Sequence, residues 1–349
     1  MGKRLAVLLA GMFGFCLMTA PALAQQPVIA AEAWSAYKAK FLDPAGRIID
    51  DGNGGISHSE GQGYGLLLSV LAGSPSDFAL IWSFTQTELL LRDDGLAAWT
   101  WNPSATPHVT DINNATDGDI LIAYALGLAG ERWKRPDYIQ AGTRIARAIL
   151  DKTVLHQAGR SVLLPGATGF SAADREDGPV VNPSYWIFEA FPVLDKLAPS
   201  PEWAKLRDDG LALLGEFRYG PKQLPADWVS LTSPPKPAAG FPAEYGYNAL
   251  RIPLYLVRAG ITDRQLLDHF RRQTAGANGT FTTIDLVSGA VKDNLSDLGY
   301  RIVNHILACV VDKTTLPADL QQFTPTLYYP STLHLLGLSF IAARQPECL

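Results

Sequence analysis

The sequence predicts a mainly all-α protein in which buried and amphipathic helices alternate. Five segments are apolar nearly all round and rich in Gly and Ala, at residues 60–72, 117–129, 184–194, 247–259 and 298–311. Five others carry a charged face, at residues 31–42, 76–92, 137–152, 201–217 and 263–273. A helix that is apolar all round must be buried, whereas an amphipathic helix keeps one face in water. The alternation therefore favours a closed double ring, with the apolar helices inside and the amphipathic helices outside.

The spacing of the apolar segments favours a closed ring over an open solenoid. Their first residues are separated by 57, 67, 63 and 51 residues, which exceeds the length of the common short helical repeats. Because each outer helix returns the chain to the same end, the inner helices should run parallel and begin at one mouth. Three long loops rich in Pro, Gly and Trp, at 99–114, 159–183 and 218–246, are expected to carry function and some short strands near the cleft.

The first residues have the pattern of a targeting segment. Lys3 and Arg4 precede an apolar stretch from Leu5 to Leu17, and Ala22-Leu23-Ala24 offers small residues for cleavage. We therefore expect a secretory signal peptide at 1–24, whose apolar part is too short to span a bilayer. Residues 25–349 are then expected to form a single domain in the periplasm or outside the cell.

Composition excludes several classes of partner. The formal net charge is −5, which becomes −7 when Lys3 and Arg4 are removed with the signal, and no Lys/Arg-rich tract is present. This balance argues against nucleic acid or an anionic membrane surface as a partner. No later stretch has 18 uninterrupted apolar residues, so no membrane insertion is expected after signal removal. The six histidines are scattered and no pair of Cys ligands occurs, so neither a metal nor another cofactor is expected.

Two cysteines, Cys309 and Cys348, follow the predicted cleavage site. They can pair in an oxidising compartment, but the sequence does not settle whether they do.

Polar side chains recur at the start of every predicted inner helix. They are Glu60, then Asp117 and Asp119, then Asn182 and Tyr185, then Tyr247, Asn248 and Arg251, and finally Asp293 and Asp297. Parallel inner helices would bring all of them to one mouth, which predicts a shared polar site. Each residue also has a structural explanation, because acidic side chains cap helices or favour the first turn and tyrosines pack in cores.

The stretch around Glu60 allows two interpretations. Ser57-x-x-Glu60 ahead of an apolar run fits a capping box, in which both side chains bind backbone N–H groups. However, Gly61, Gly63 and Gly65 follow in the first turns, where each glycine costs roughly 0.5–1 kcal/mol relative to Ala. We interpret these glycines as leaving the helix start bare for a substrate chain.

Four tryptophans fall in or beside the same loops. They are Trp99, Trp101, Trp186 and Trp228. Flat aromatic rings that line a groove can hold sugar rings by stacking, and packing in the core is the alternative for each. Carboxylates and aromatics without a metal site favour glycoside hydrolysis, because two carboxylates that flank a glycosidic bond are enough to hydrolyse it.

Four segments resemble glycoside hydrolase family 8. Residues 115–133 (ATDGDILIAYALGLAGERW) match nearly the whole pattern of the family signature, and 59–65 (SEGQGYG) resemble its proton-donor segment. Asn182-Pro183-Ser184-Tyr185 and Arg251-Ile252-Pro253-Leu254 match further family segments. Within the family, the chain is similar to the small endo-β-1,4-glucanases that accompany bacterial cellulose synthesis. The resemblance implies an (α/α)6 barrel and endo-hydrolysis of β-1,4-glucan with inversion at the anomeric carbon.

The resemblance also implies roles for individual residues. Glu60 would be the general acid, with a pKa raised by burial and a nearby carboxylate. Asp117 would lie beneath the −1 sugar and stabilise its developing positive charge. Tyr185 would position the attacking water. Trp99 would stack on a glucosyl unit, and Tyr247 and Arg251 are expected to bind substrate.

One position departs from the family pattern. The segment that normally reads Tyr-Asp-Ala-x-Arg is Tyr247-Asn248-Ala249-Leu250-Arg251 here, and the missing Asp is the usual general base. Loss of a base typically costs about 10²–10⁴-fold in rate. Three explanations remain open: another carboxylate serves, with Glu244 and Asp227 as candidates; Asn248 and Tyr185 position a water whose proton leaves through a relay; or the protein is a weak hydrolase that mainly binds glucan.

The sequence thus predicts an endo-β-1,4-glucanase that trims cellulose during its synthesis or export. Its expected partners are a β-1,4-glucan chain and the cellulose synthase export machinery. The alternatives are a chitosanase or xylanase of the same family, and a glucan-binding component without catalytic activity.

Overall fold

Helices dominate the computed structural model, which describes Gly2 and residues 26–349. Except for Gly2, the predicted signal peptide lies outside the described residues. The helices of the described part are α1 Ala31–Phe41, α2 Ser59–Leu71, α3 Pro75–Phe84, α4 Thr116–Trp133, α5 Pro136–Lys152, α6 Phe191–Leu197, α7 Pro201–Glu216, α8 Ile252–Arg258, α9 Arg264–Thr274, α10 Leu298–Asp312, α11 Ala318–Gln321 and α12 Tyr328–Arg344.

The even-numbered helices form an inner ring. Helices α2, α4 and α6 pack in sequence, as do α8, α10 and α12, and α12 returns to pack against α2. The gap between α6 and α8 is bridged by the single 3₁₀ turns at Pro183–Tyr185 and Ala249–Arg251, which contact each other. The odd-numbered helices lie outside with one face buried; α5, for example, buries Tyr138 and Ile145 but exposes its charged side. The architecture is an (α/α)6 barrel, which confirms the predicted fold class.

Helix α12 completes the ring and was not among the predicted helices. Its outer partner α11 has only one turn, so the alternation of long amphipathic and apolar segments fails at this point. Pro330 lies in the first turn of α12, where no backbone N–H is needed for the helix.

The predicted inner segment 184–194 is helical only in part. Residues 183–185 form a 3₁₀ turn, and α6 begins at Phe191. Pro192 explains the late start, because a proline inside a longer helix would remove a hydrogen bond and clash with the preceding turn, whereas it is tolerated at the beginning.

Short antiparallel strands join the loops at the mouth of the barrel. They are β1 Ser57–His58, β2 Thr100–Trp101, β3 Val154–Gln157, β4 Arg160–Leu163, β5 Val180–Val181, β6 Val229–Ser230, β7 Lys236–Pro237, β8 Glu244–Tyr245, β9 Phe281–Asp285 and β10 Val291–Leu295. They pair as β1–β2, β3–β4, β5–β6–β7 and β8–β9–β10. In the first pair, Ser57 is opposite Trp101, which fixes the 99–101 segment beside the start of α2.

Two covalent or ionic links tie the ring together away from the mouth. Cys309 in α10 forms a disulfide with Cys348 near the C-terminus, so the pairing that the sequence left open is present. Arg258 at the end of α8 pairs with Glu189 at 2.6 Å, and its guanidinium also donates to the Leu336 carbonyl in α12. Across the described residues, we find no helix with the length and apolar character needed to cross a bilayer.

Candidate active site

A cavity of about 650 Å³ opens where the inner helices begin. All seven side chains that the sequence assigns to the site line it: Glu60, Trp99, Asp117, Tyr185, Tyr247, Asn248 and Arg251. The other polar residues at helix starts, Asp119, Asn182, Asp293 and Asp297, are not among its lining residues. The gathering of helix starts at one mouth therefore holds for most of the expected set.

Glu60 is placed by a helix cap that differs from the one expected. The cap of α2 is His58, whose Nδ1 accepts a hydrogen bond from the Gly61 N–H at 3.0 Å. Ser57 instead donates to the Ile48 carbonyl, so of the two interpretations of this stretch the capping box of Ser57 and Glu60 is wrong. Because its carboxylate is not used as a cap, Glu60 projects into the cavity.

The glycines after Glu60 serve helix packing. Gly61, Gly63 and Gly65 are all buried. A Cβ on Gly63 would lie 2.5 Å from the Cβ of Leu121 in α4, a distance that real contacts do not allow. A Cβ on Gly65 would likewise lie 2.6 Å from Ile48, so the interpretation that the glycines leave the helix bare for a sugar chain is wrong for Gly63 and Gly65.

Asp117 reaches the cavity through a matching close approach in α4. A Cβ on Gly118 would lie 2.1 Å from the Ser59 hydroxyl oxygen and 2.7 Å from the Glu60 nitrogen. The missing side chain thus lets the start of α4 pack directly on the start of α2. Asp117 is 3% exposed, and burial raises the pKa of its carboxyl to about 7 despite a hydrogen bond from the Gly118 N–H.

Arg251 joins the polar groups at the floor of the cavity. Its guanidinium forms an ion pair with Glu60 and lies 3.6 Å from Asp117 Oδ2. The Nη2 nitrogen of Arg251, which makes the 3.6 Å contact with Asp117, also donates to Asn248 Oδ1 at 3.0 Å and to Ser184 Oγ at 2.7 Å. A planar guanidinium can hold several acceptors in a fixed arrangement, and in this way Arg251 connects the start of α2, the start of α4 and the 3₁₀ turn at Pro183–Tyr185.

Asn248 occupies the wall between the cavity and a second buried carboxylate. Its Oδ1 accepts from Arg251, and its Nδ2 lies 3.4 Å from Asp227 Oδ2. Asp227 is 4% exposed and also accepts backbone N–H bonds from Gly246, Asn248 and Ala249. Burial raises the pKa of Asp227 to about 6, and these hydrogen bonds oppose the rise.

The two carboxylates considered as alternative bases therefore have different surroundings. Glu244 in β8 forms an ion pair with Lys292 in β10. Asp227 lies directly behind Asn248. Neither is among the residues that line the cavity.

Two of the four tryptophans line the cavity. Trp99 is 38% exposed, and its indole N–H donates to Asp111 at 2.8 Å, which fixes the ring plane. Trp228 lines the cavity and packs edge-on against Tyr185, with 6.2 Å between ring centroids. Trp186 is a core residue stacked on Phe217, and Trp101 is half-buried outside the cavity.

Tyrosines form one wall of the cleft. Tyr247 is 45% exposed and packs edge-on against Tyr300, which packs in turn against Tyr329. The Tyr329 hydroxyl donates to the backbone carbonyl of Tyr247 at 2.6 Å. On the opposite side, burial and the negative charge of Asp117 raise the pKa of the Tyr185 phenol well above its usual value, so this hydroxyl remains protonated.

Some polar residues outside the cavity support those inside it. Asp119 accepts from the Ala97 N–H at 2.8 Å and from Asn114, which holds the segment that leads to Trp99. Asn182 accepts from the Ser184 hydroxyl at 2.8 Å, and that hydroxyl contacts Arg251. Asp293 accepts from Thr283, away from these groups.

Several residues that line the cavity belong to no motif or helix that the sequence analysis predicts. Asp50 lines the cavity and pairs with His58 at 3.3 Å, but it lies in a turn of small residues without a motif. Tyr328 and Tyr329 begin the inner helix α12. A sequence prediction of α12 would have placed both tyrosines at the site, because inner helices begin there.

The arrangement can carry acid-assisted hydrolysis of a glycoside. An acid and a second carboxylate face one open cavity, exposed aromatic rings lie at its edges, and hydrogen-bonding side chains are available to hold a water. These groups fit glycoside hydrolysis by carboxylates, except that Asn248 stands where the family pattern has its general base.

Comparisons with known proteins agree with this chemistry. The model of Glycosyl hydrolases family 8 matches residues 5–342. A probable endoglucanase of Novacetimonas hansenii is 38% identical over 282 residues, which cover 79% of this chain and 82% of the relative. An endoglucanase of Cellulomonas uda is 42% identical over 65% of this chain and 63% of that relative.

Solved structures give the same result. The endo-β-1,4-glucanase CMCax from Acetobacter xylinum superposes with a TM-score of 0.80 at 36% identity, covering 93% of this chain and all of that chain. With the family model matched over nearly the whole sequence and the fold shared, the chain belongs to glycosyl hydrolase family 8 and is a glycoside hydrolase.

Proposed function

We propose that the protein is a secreted endo-β-1,4-glucanase that hydrolyses its substrate with inversion at the anomeric carbon. The observation that carries the proposal is the contact of one guanidinium, that of Arg251, with Glu60, Asp117 and Asn248 in a single cavity. The family resemblance gives these positions to the acid, the −1 subsite carboxylate and, at Asn248, the usual general base. The relatives named endoglucanase support β-glucan as the substrate class.

Glu60 gives its proton to the glycosidic oxygen as the bond to the anomeric carbon breaks. An ion pair favours the charged form of a carboxyl, so Glu60 must leave Arg251 before it can act as an acid. The ionised form of Asp117 then stabilises the positive charge that develops on the sugar ring.

Substrate is held by the aromatic edges of the cleft. Trp99 offers an exposed ring face whose plane is fixed by Asp111, and Tyr247 offers a second exposed ring that lines the same cavity. Two exposed aromatic rings along one open cavity suit a chain of several sugar units, which endo-acting cleavage requires.

The proposed location is the periplasm or the medium, with a role in trimming glucan as cellulose is made or exported. The N-terminal sequence pattern and the disulfide between Cys309 and Cys348 support an oxidising compartment. The similarity to endoglucanases that accompany cellulose synthesis supports the role, and the export machinery is the proposed partner.

Analysis of products tests the function. Purified protein should lower the viscosity of carboxymethylcellulose faster than it releases reducing ends, and NMR of the first products from cellopentaose should show the α-anomer. Faster release from chitosan or xylan would contradict the substrate, and an initial β-anomer would contradict inversion. Glucan binding without any cleavage would contradict the enzyme itself.

A further inference from the structure

Asn248 connects the cavity to a buried carboxylate. The groups on either side of its amide fix its orientation, because the Arg251 guanidinium can only donate and an ionised carboxylate can only accept. Oδ1 therefore faces Arg251 at 3.0 Å, and Nδ2 faces Asp227 Oδ2 at 3.4 Å. One lone pair of Oδ1 and one N–H remain for a water in the cavity that Asn248 lines.

The two oxygens of Asp227 are bound unequally. Oδ1 accepts two bonds of 2.8 Å, from the N–H groups of Gly246 and Ala249. Oδ2 has only the longer contacts with Asn248, at 3.2 Å from its backbone nitrogen and 3.4 Å from Nδ2. Oδ2 is thus the oxygen with room to take a proton, and the group nearest to deliver one is the Asn248 amide.

The backbone is built to let this carboxylate approach closely. A Cβ on Gly246 would lie 2.6 Å from Asp227 Oδ2 and 3.0 Å from Glu244 Oε1. The absence of a side chain at Gly246 therefore leaves room for both carboxylates beside its backbone, and of the two only Asp227 contacts Asn248.

The charge around Asp227 suits a base that works near neutral pH. Burial raises the pKa of its carboxyl to about 6, close to the range in which a general base is most effective. Three tyrosine hydroxyls lie near the Asp227 carboxylate, those of Tyr185, Tyr245 and Tyr329. The charged groups around it are the Glu244 carboxylate, which is paired with Lys292, and the Arg251 guanidinium on the far side of the Asn248 amide.

We propose that Asp227 is the final acceptor of the proton of the attacking water and that the Asn248 amide carries the proton to it. This inference rests on the proposed glucanase function and names the proton acceptor that the replacement of Asp by Asn at 248 leaves missing. It assigns the work of a base to a residue that does not touch the substrate.

The proton transfers balance over one turnover. The water oxygen bonds to the anomeric carbon as the bond to the leaving sugar breaks, and Glu60 gives its proton to the leaving oxygen. The water proton passes to Asn248 Oδ1 while one Nδ2 proton passes to Asp227 Oδ2, which leaves the amide as its imidic acid tautomer. Asp227 then returns its proton to Nδ2, the Oδ1 proton is lost to solvent, and Glu60 takes one up.

Asp227→Asn is the first test. With the acceptor neutral, we expect kcat on carboxymethylcellulose to fall about 10²–10⁴-fold, as for loss of a base, while KM stays within about threefold. Glu244→Gln is the matched control, because Glu244 also lies near Gly246 but does not contact Asn248, and its kcat should stay near that of wild type. A thermal melt checks that each variant is folded.

A double variant separates proton acceptance from a structural role. In the Asp227→Asn/Asn248→Asp protein, the carboxylate introduced at position 248 would take the proton directly, so at least about tenfold of the lost kcat should return. The acid side of the kcat–pH profile should also move to lower pH, because the new carboxyl lines the cavity and is less buried than that of Asp227. A merely structural role predicts no such recovery.

Each outcome decides the inference. A folded Asp227→Asn variant that keeps more than about one tenth of wild-type kcat, or a double variant no better than Asp227→Asn, overturns it. If Asp227→Asn does not fold, the single variant Asn248→Asp decides. A gain in kcat of about tenfold or more would show that the wild type lacks an efficient proton acceptor and would overturn the inference. A smaller change in kcat, with the acid side of the kcat–pH profile shifted, would support the relay.

Failure of the proposed function would look different. A wild-type protein that cleaves no β-1,4-glucan overturns both the proposed function and the inference about Asp227. An active wild type whose activity is abolished by Glu60→Gln but unaffected by Asp227→Asn overturns the inference alone.

Discussion

The guanidinium of Arg251 contacts two of the three carboxylates that line the cavity, as an ion pair with Glu60 and at 3.6 Å from Asp117 Oδ2. It is 3% exposed, so its charge is shielded little by water. Arg251 is therefore one of the groups that hold Glu60 and Asp117 relative to each other, together with the close packing of α4 on α2 at Gly118.

Arg251→Lys should lower kcat by about 10²-fold or more, because an ammonium cannot hold Asp117 and Asn248 in the arrangement that the guanidinium gives them. Steady-state kinetics on carboxymethylcellulose measure this. Arg160→Lys is the control, since Arg160 pairs with Glu216 on the outer surface. Equal activities of the two variants would contradict the role given to Arg251.

Gly118→Ala should damage both stability and activity. The new methyl group would overlap the Ser59 hydroxyl oxygen and push α4 away from α2, which moves Asp117 relative to Glu60; overpacking typically costs about 1–3 kcal/mol. Differential scanning calorimetry and kinetics measure the two effects.

Gly215→Ala is the matched control for that change. Gly215 lies in the outer helix α7 with nothing within 4 Å of its would-be Cβ, so alanine there should leave activity unchanged and raise stability slightly. A Gly118→Ala protein as stable and active as Gly215→Ala would show that the close approach is not needed.

The sequence predicts the positions of those site residues that lie at the starts of apolar helices. Glu60, Asp117 and Arg251 lie at the starts of apolar helices, and the alternation of helix types is enough to predict that parallel inner helices begin together. The family resemblance then named their roles, which remain predictions.

Tertiary contacts explain what the sequence did not reveal. The cap of α2 comes from His58 because Ser57 is drawn to the Ile48 carbonyl, a partner outside the local turn. The place of Asp227 behind Asn248 depends on backbone N–H groups of a later segment, those of Gly246 and Ala249. Helix α12 was missed because its one-turn partner breaks the alternating pattern.

Removing the buried charge of Arg258 should destabilise the barrel strongly. Arg258→Met leaves Glu189 buried without its partner and removes donors to Leu336 and Ser339, a loss typical of about 3–5 kcal/mol. Chemical denaturation measures it. Arg135→Met, which breaks an exposed pair with Asp137, should leave the denaturation midpoint nearly unchanged; similar losses in both would contradict the importance of burial.

The disulfide should stabilise the protein chiefly by restricting the unfolded chain. Cys309 and Cys348 are 39 residues apart, and closing a loop of this length is worth about 4 kcal/mol in the chain-entropy model. Cys348→Ser should therefore lower Tm, and dithiothreitol should lower the Tm of wild type but not of the variant. No effect of the reductant on wild type would contradict the pairing.

The most direct test is the rate of reducing-end release from carboxymethylcellulose by Glu60→Gln. An uncharged amide of the same shape cannot give a proton, so kcat should fall about 10²–10⁴-fold with the fold intact, whereas Glu32→Gln on the exposed face of α1 should match wild type. A folded Glu60→Gln protein that hydrolyses carboxymethylcellulose at the wild-type rate would contradict Glu60 as the acid.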